Sequence, residues 1–240
     1  MAHPLSRRAY LWPALSVSAM FSYNTWLLWW PLNGRSEVFN GYLSELSALD
    51  QPNNLFFRGG DLLAGLLVLT LGIRAVQAPR RRGQRSNPWW LVAAVALVVF
   101  GLSSIGDAVL ALDCSPTLSF GCRGLEQSGQ LSAGHYLHTA TSVAAQAGIV
   151  TSLVAARLAV GQSAGPAPRG RAPLSVICVA EIVALMIMLS MIVAGSPGFG
   201  YPQVVMVVAA SVWFAAVGFW LLDSASVGVA AGDTSEEGNS

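Results

Sequence analysis

Residues 35–61 of the chain read RSEVFNGYLSELSALDQPNNLFFRGGD. The segment lies between two long apolar runs and carries six charged residues: Arg35, Glu37, Glu45, Asp50, Arg58 and Asp61. Only 10% of the whole chain is charged, so this concentration of charge is unusual. A polar segment that separates two apolar runs is typical of a loop between membrane helices. The segment therefore predicts a helix crossing a membrane on each side of it.

The overall composition also indicates a membrane protein. Of the 240 residues, 54% are hydrophobic, and the mean hydropathy is +0.56. About a quarter of the residues in soluble domains are charged, whereas apolar runs of about 20 residues can cross a bilayer as helices. We therefore expect an all-α integral membrane protein with six transmembrane helices. The runs that carry this prediction are about 10–31, 56–76, 88–112, 135–160, 173–194 and 204–222.

The first apolar run follows Arg7 and Arg8, which is also how a secretory signal peptide begins. The run continues from Tyr10 to about Leu32, longer than the apolar core of a signal peptide. No small-residue cleavage site follows it. We therefore expect the run to be retained as the first membrane helix.

The distribution of arginine predicts the orientation in the membrane. If the N-terminus is cytoplasmic, only three arginines lie on the outer side: Arg35, Arg58 and Arg123. The other ten lie on the cytoplasmic side: Arg7, Arg8, Arg74, Arg80, Arg81, Arg82, Arg85, Arg157, Arg169 and Arg171. Because basic residues concentrate in cytoplasmic loops, we expect both termini to be cytoplasmic. The expected location is the bacterial plasma membrane, which the chain crosses several times.

These boundaries predict a single domain, a six-helix bundle over residues 1–222 with extracytoplasmic loops at 32–55 and 113–134. Residues 223–240 are rich in Gly, Ser and acidic side chains and are expected to form a disordered cytoplasmic tail. Cys114 and Cys122 both fall in the second extracytoplasmic loop. Because an oxidising compartment permits disulfides, we expect these two cysteines to be bonded.

Several classes of function are excluded by what the chain lacks. All 13 basic residues are arginine, so neither a Schiff-base lysine nor a phosphate-loop lysine is present. The net charge is +1, without the basic face that a nucleic-acid partner would require. No hydrolase GxSxG, kinase or dinucleotide-binding motif occurs. The expected partner is the lipid bilayer and its membrane lipids, and no particular protein partner is indicated.

Five ionisable residues fall at one predicted depth, near the outer ends of the helices. They are Asp61, Asp107, Asp113, His135 and His138. An ionisable group at membrane depth costs roughly 2.5 kcal/mol or more, so such groups usually face the bundle interior and carry function. We therefore predict Asp107, His138, His135 and Asp61 as catalytic residues. The alternatives are a helix-start role for Asp61, capping or solvation of the end of the third helix by Asp113, and hydrogen bonds to the loop for the histidines.

His135 and His138 are three residues apart and share one face of a helix. Together with Asp107 they make a two-histidine, one-carboxylate set that suits a divalent metal such as zinc. The HxxH spacing is less specific than HExxH on one helix, and it also suits a proton relay or a carboxylate partner. A divalent metal is therefore one of several interpretations of this pair.

The first extracytoplasmic loop supplies the predicted substrate-binding residues Glu45, Ser47 and Arg58. In this interpretation the loop is an amphipathic lid, with Glu45 directed toward His135 and His138. Its apolar side chains would lie on the membrane: Phe39, Leu43, Leu46 and Leu49.

Two further polar residues lie deeper in the predicted helices. Asn24, roughly 10 Å below the outer end of the first helix, is a candidate for substrate binding, with an interhelical hydrogen bond as the alternative. Glu181 lies roughly 10 Å from the cytoplasmic end of the fifth helix. We interpret it as a buried structural glutamate, with a proton relay as the alternative.

Three segments carry a family resemblance. They are YLSELSALDQPNNLFFRGGDLLAGLLVLTLGIRA at 42–75, GDAVLALDCSP at 106–116 and GHYLHTATS at 134–142. Over about residues 10–222 the chain resembles uncharacterised six-helix bacterial membrane proteins grouped as one domain of unknown function. The residues that match the family layout are Ser44, Glu45, Ser47, Asp113, Pro116 and His135 or His138.

The chain more distantly resembles the DRAM-like membrane proteins, some of which are linked to lipid handling. The resemblance implies the fold and the position of the site, and it implies no settled activity. Two functions follow from the residues themselves. One is hydrolysis or modification of an outer-leaflet lipid or lipid-linked substrate, and the other is a non-enzymatic role as a lipid-binding protein, carrier or accessory subunit.

Overall fold

The computed structural model describes residues 10–34, 39–78, 87–162 and 171–236, with the side chains of 171 and 222–236 left out. Arg35 and Glu37 of the opening segment lie outside these ranges, as do most of the arginines used to predict the orientation. The predicted disordered tail at 223–240 stays a prediction.

Helices make up nearly all of the described structure, and no β-strand occurs in it. The α-helices are α1 Leu11–Tyr23, α2 Trp29–Asn33, α3 Asn54–Gln77, α4 Trp89–Val109, α5 Phe120–Gln127, α6 Ala133–Gly161, α7 Arg171–Val193 and α8 Gly200–Glu236. Two 3₁₀ turns, Thr25–Leu28 and Leu43–Ser47, complete the set. The all-α prediction is therefore confirmed for the described residues.

Five of these helices are long and apolar enough to cross a membrane, judged over the described residues. They are Asn54–Gln77, Trp89–Val109, Ala133–Gly161, Ala172–Val193 and Gly200–Leu221. The first predicted helix differs, because the α-helix stops at Tyr23 and continues as the turn Thr25–Leu28 and the short α2. The described residues thus contain five continuous candidate spans, where the sequence predicts six.

The break in the first helix has a local cause at Asn24. Its side-chain amide donates to the carbonyl oxygen of Met20 at 2.7 Å, and its side-chain oxygen accepts from the Trp26 indole at 3.2 Å. Asn side chains that bond to nearby backbone groups compete with the helical hydrogen-bond pattern. The chain therefore tightens into a 3₁₀ turn immediately after this residue.

The long helices pack as a closed ring in the order α1, α3, α4, α6, α7, α8 and back to α1. Aromatic side chains fill the middle, where the Tyr23 ring lies 5.5 Å from Phe100 and 5.7 Å from Phe214. Glycine allows the closest crossing, since a Cβ at Gly101 would come within 2.6 Å of the Leu69 backbone nitrogen. Small residues at helix crossings are typical of membrane bundles.

A lid covers one end of this ring. It consists of residues 39–53, which contain the turn Leu43–Ser47, and residues 110–132, which contain α5. Leu43 and Leu46 are buried, with 7% and 4% of their surfaces exposed, whereas Leu49 is exposed. The prediction that this loop lies flat on the membrane is therefore wrong for Leu43 and Leu46, because these side chains anchor the lid to the bundle.

Candidate functional site

The two halves of the lid are joined by a buried hydrogen-bond network around Ser115. Its backbone N–H and its hydroxyl both donate to the Asp50 carboxylate, at 3.1 and 3.0 Å. The Gln51 amide donates to the Ser115 hydroxyl oxygen at 2.9 Å. Leu49 adds a backbone bond to the carbonyl oxygen of Leu112 at 2.9 Å. The lid is therefore one unit built from two distant parts of the sequence.

Glu45 lies within this lid and is almost completely buried, with 2% of its surface exposed. Its carboxylate accepts hydrogen bonds from the backbone N–H and the hydroxyl of Thr117. Burial raises the pKa of Glu45 to about 7, although the Thr117 bonds oppose the shift. Glu45 thus contacts Thr117, where the sequence predicts contact with the histidines.

The disulfide predicted between Cys114 and Cys122 is present. It links the segment after α4 to α5 and so fixes α5 within the lid. Glu126, on the next turn of α5, places a carboxylate oxygen 3.4 Å from Nε2 of His135. This contact joins the lid to the start of α6.

Asp113 and Ser132 form the cap at the start of α6. The Asp113 carboxylate accepts from the Ser132 backbone N–H at 2.6 Å and from its hydroxyl at 2.7 Å. Both bonds lower the pKa of Asp113, because they stabilise its charged form. The Ser132 hydroxyl in turn accepts from the backbone N–H of His135, as an N-cap residue does. The sequence alternative places Asp113 at the end of the third helix, whereas its carboxylate bonds to the start of α6.

Both ring nitrogens of His135 have partners. Nδ1 accepts from the backbone N–H of Asp113 at 3.2 Å, and Nε2 faces Glu126. The side chain is fully buried. His135 is therefore placed as a structural link between α6 and the lid.

His138 differs from His135 in that one of its ring nitrogens has no partner. Nδ1 lies 2.8 Å from the carbonyl oxygen of Leu110 and 3.0 Å from that of Asp107. Because carbonyl oxygens can only accept, Nδ1 must carry the hydrogen. In the neutral ring Nε2 then has a lone pair, and this buried nitrogen has no hydrogen-bond partner among the described residues.

Asp107 lies directly beside His138. One carboxylate oxygen is 4.0 Å from Nδ1 of His138. The carboxylate accepts from the hydroxyl of Thr141 and, at 3.1 Å, from that of Ser142. The carboxylate is therefore held by α6, one turn below the imidazole that it faces.

Asp61 on α3 completes the group of predicted catalytic residues. Its carboxylate accepts a hydrogen bond of 3.1 Å from the Ser47 hydroxyl in the lid. The charges of Asp61 and Asp107 lie within electrostatic range of one another. The structure thus brings Asp61, Asp107 and His138 to one end of the bundle, directly beneath the lid.

Two predicted substrate-binding residues have structural partners. The Arg58 guanidinium donates to the carbonyl oxygens of Ala108 and Val109, at 2.9 and 3.4 Å, and so satisfies the end of α4. The Asn24 amide donates to the Ser211 hydroxyl on α8 at 2.7 Å. This is the interhelical hydrogen bond that the sequence offers as the alternative for Asn24.

The predicted metal set is not assembled by these positions. Within the part of the chain that the structure describes, no group of three or more His, Cys, Asp or Glu side chains is arranged to hold a metal ion. His135 and His138 share a helix but use their ring nitrogens on different partners. The zinc site stays a prediction from sequence.

Four residues of the site were not singled out by the sequence analysis: Ser115, Thr117, Thr141 and Ser142. Thr141 and Ser142 follow His138 by three and four residues, so the three side chains share one face of a helix. This spacing could have predicted that they lie in the site. Nothing in the sequence pairs Thr117 with Glu45, which is 72 residues away.

The comparison with known proteins places the chain in a family. A family model described as a protein of unknown function (DUF998) matches residues 16–220. The chain belongs to the DUF998 family. No curated protein and no solved structure matches it. The predicted membership of a family of unknown function is confirmed, whereas the bacterial origin and the DRAM-like resemblance stay predictions.

Proposed function

We propose that the site beneath the lid hydrolyses a membrane lipid or lipid-linked substrate, with His138 as the general base. The observation that carries this proposal is the buried Nε2 of His138, which has no hydrogen-bond partner among the described residues and belongs to a ring that the Asp107 carboxylate faces. Buried polar atoms are nearly always hydrogen-bonded, so the unpartnered Nε2 favours a role in binding a water or substrate molecule.

The proposed chemistry uses the two ring nitrogens differently. Nε2 removes a proton from a water molecule as the water oxygen attacks the acyl or phosphoryl centre of the substrate. The ring then becomes an imidazolium, and the Asp107 carboxylate 4.0 Å from Nδ1 stabilises its charge. Nε2 finally returns the proton to the leaving oxygen.

A lipid substrate is favoured by the depth of the site. Asp107 lies two residues before the end of α4, and His138 lies in the second turn of α6. These positions correspond to the boundary between apolar spans and polar lid, where lipid headgroups reside. Because the lid covers the site, a substrate enters only when the contacts between the lid and α3 open, and the bond from Ser47 to Asp61 is one of them.

The direct test incubates the purified protein with liposomes of mixed phospholipids and follows lipid products by mass spectrometry. His138→Gln retains the shape of the side chain but removes the base, so product formation should fall at least ~100-fold, as for loss of a general base. Val143→Ala, a change on the exposed face of α6, is the control and should retain activity. Full activity in a folded His138→Gln variant would refute the proposal.

A second candidate is lipid binding without turnover. It is favoured by the engagement of the carboxylates, because Asp107, Asp61 and Glu45 all accept bonds from neighbouring hydroxyl groups. In this case a lipid would remain bound through purification, and native mass spectrometry would detect its mass unchanged. If the unaltered protein forms no product and the His138→Gln variant loses the bound lipid, the results would favour lipid binding over hydrolysis.

The proposed topology has six spans, with both termini cytoplasmic and the lid outside the bacterial plasma membrane. The broken first segment packs between α3 and α8, which supports its place in the bundle. The disulfide in the lid supports an oxidising compartment on that side. Reporter fusions at the N-terminus, after Gly34 and after the C-terminus would test this: the two termini should report one side and Gly34 the other.

A further inference from the structure

Another buried polar group with an unpartnered atom among the described residues is a carboxyl group on α7, away from the lid. Glu181 is near the middle of α7, and only 1% of its surface is exposed. One carboxyl oxygen, Oε1, accepts a hydrogen bond of 2.7 Å from the Gln146 amide on α6. The other, Oε2, is buried and has no hydrogen-bond partner in the described part of the chain.

Neither protonation state of Glu181 is satisfied by these contacts. An ionised carboxylate would have a single donor, and the ion pairs found among the described residues involve His135 and His138 only. A neutral carboxyl group would carry a hydrogen on Oε2 without an acceptor. An unpaired buried polar atom costs about 1–3 kcal/mol. In both protonation states Oε2 therefore requires a hydrogen-bond partner other than the described side chains.

The chemistry of the site fits a proton and does not fit a metal cation. Hard cations take about six or more oxygen ligands. Glu181 and the Gln146 amide oxygen supply at most three, and no metal-ligating group is found among the described residues. Binding of a proton requires only the lone pair of Oε2. Exchange of that proton requires a water molecule that can receive it.

One face of α6 connects this position to the lid end. His138, Ser142 and Gln146 are each four residues apart and therefore share that face. Ser142 donates to Asp107 on α4, and Gln146 donates to Glu181 on α7. Ser142 and Gln146, which bind the two carboxyl groups, lie on successive turns of α6, roughly 6 Å apart along the helix axis, and water can extend the path between the groups that they bind.

The titratable groups around Glu181 come from several helices. Asp107 and the Tyr23 hydroxyl lie on the lid side, and the charges of Asp61, Asp107 and Glu181 all act on Tyr23. Cys178, one turn away on α7, lies within range of both Glu181 and Arg157. The described side chains of α8 include one titratable group, Tyr201, at the lid end. Of the three carboxyl groups, Asp107 is the one that faces a basic group, His138.

We propose that Glu181 is a proton-binding site in the middle of the membrane that exchanges its proton with the lid side along α6. A proton from water at the lid end protonates the Asp107 carboxylate and passes through a bridging water to Oε2 of Glu181, where the new O–H bond forms. The reverse path returns it, and no electrons are transferred. This exchange does not depend on hydrolysis at His138.

The test is infrared difference spectroscopy of the full-length protein in liposomes between pH 5 and 9, in H₂O and D₂O. A C=O band of a protonated carboxyl group should be present in the unaltered protein and absent in Glu181→Gln. The band should shift within seconds of exchange into D₂O. Asp107→Asn should slow that shift at least ~10-fold, the size expected when one proton-transfer group is lost.

Gln146→Leu identifies the same band without altering the carboxyl group, because loss of its hydrogen bond moves the C=O band to higher frequency. This variant also serves if Glu181→Gln does not fold. Ser190→Ala, a change on an exposed part of α7, is the control and should leave the band unchanged. The proposal is overturned if neither Glu181→Gln nor Gln146→Leu alters the band of a protonated carboxyl group. It is also overturned if the band shows no exchange with D₂O for hours, because the carboxyl group is then sealed from water and only structural.

Discussion

Nδ1 of His138 lies 3.0 Å from the backbone carbonyl oxygen of Asp107, and the Asp107 carboxylate lies 4.0 Å from the same nitrogen. Asp107 thus fixes the tautomer of the His138 ring through its backbone carbonyl group, and its carboxylate faces the same ring. The consequence is that Nε2 is the free nitrogen and the carboxylate stabilises a proton gained there. This relationship distinguishes His138 from His135, whose two nitrogens both have partners.

The first prediction concerns Asp107. Asp107→Asn keeps the backbone carbonyl and the tautomer but removes the charge that favours the imidazolium. The rate of lipid-product formation should fall about 10- to 100-fold, which is less than the full effect of losing a general base.

The measurement is a pH–rate profile of the Asp107→Asn variant against that of the unaltered protein. Ser128→Ala, on the exposed surface of the lid, serves as the control and should leave the profile in place. An unchanged profile in Asp107→Asn would show that this carboxylate does not act on His138.

The second prediction concerns the pH dependence of stability through Glu45. Its pKa is about 7 in the folded protein and 4.5 in the unfolded reference, so the folded state binds the proton more tightly. The contribution of Glu45 to stability is therefore greatest below pH 4.5 and is lost as the pH rises to about 7. The difference corresponds to about 3 kcal/mol.

Glu45→Gln removes this titration. Thermal unfolding in detergent should show that the unaltered protein loses stability relative to the variant as the pH rises from 5 to 8. Glu126→Gln, in the more exposed half of the lid, is the comparison variant. Parallel stability curves for Glu45→Gln and the unaltered protein would contradict the assignment.

The third prediction concerns the lid disulfide. Cys114 and Cys122 are eight residues apart, and closing a loop of that size stabilises a fold by about 2.5 kcal/mol. The double variant Cys114→Ser, Cys122→Ser should therefore unfold the lid more readily than the bundle. Limited proteolysis should cut within residues 113–132 first, and reducing agent should have the same effect on the unaltered protein. A proteolysis pattern that is the same in both proteins would contradict this expectation.

The fourth prediction concerns the cap at the start of α6. Ser132→Ala removes the hydroxyl that donates to Asp113 and accepts from the His135 backbone. Loss of an N-cap side chain costs about 1 kcal/mol, so the unfolding free energy should fall by about that amount. Ser132→Asp, which restores a capping oxygen but places it beside the Asp113 charge, should not recover it. Chemical denaturation of both variants is the measurement, and equal stability of Ser132→Ala and the unaltered protein would refute the role of the cap.

The sequence by itself determined the helical spans and the position of the polar residues along them. Apolar runs of bilayer length predict helices because backbone groups must be satisfied within each span. The same reasoning located Asp61, Asp107 and His138 at one end of the bundle. The sequence also indicated the disulfide, since both cysteines fall in a single loop.

Only the tertiary structure decided which of these groups are free. Glu45 pairs with Thr117, and His135 is linked to Glu126, whereas Nε2 of His138 and Oε2 of Glu181 have no partner within the described part of the chain. Hydrogen-bond partners on different helices depend on how those helices rotate and pack, and a helical pattern fixes only which residues share a face. The interhelical alternative for Asn24 was decided in the same way, because its bond to Ser211 joins two helices that are far apart in sequence.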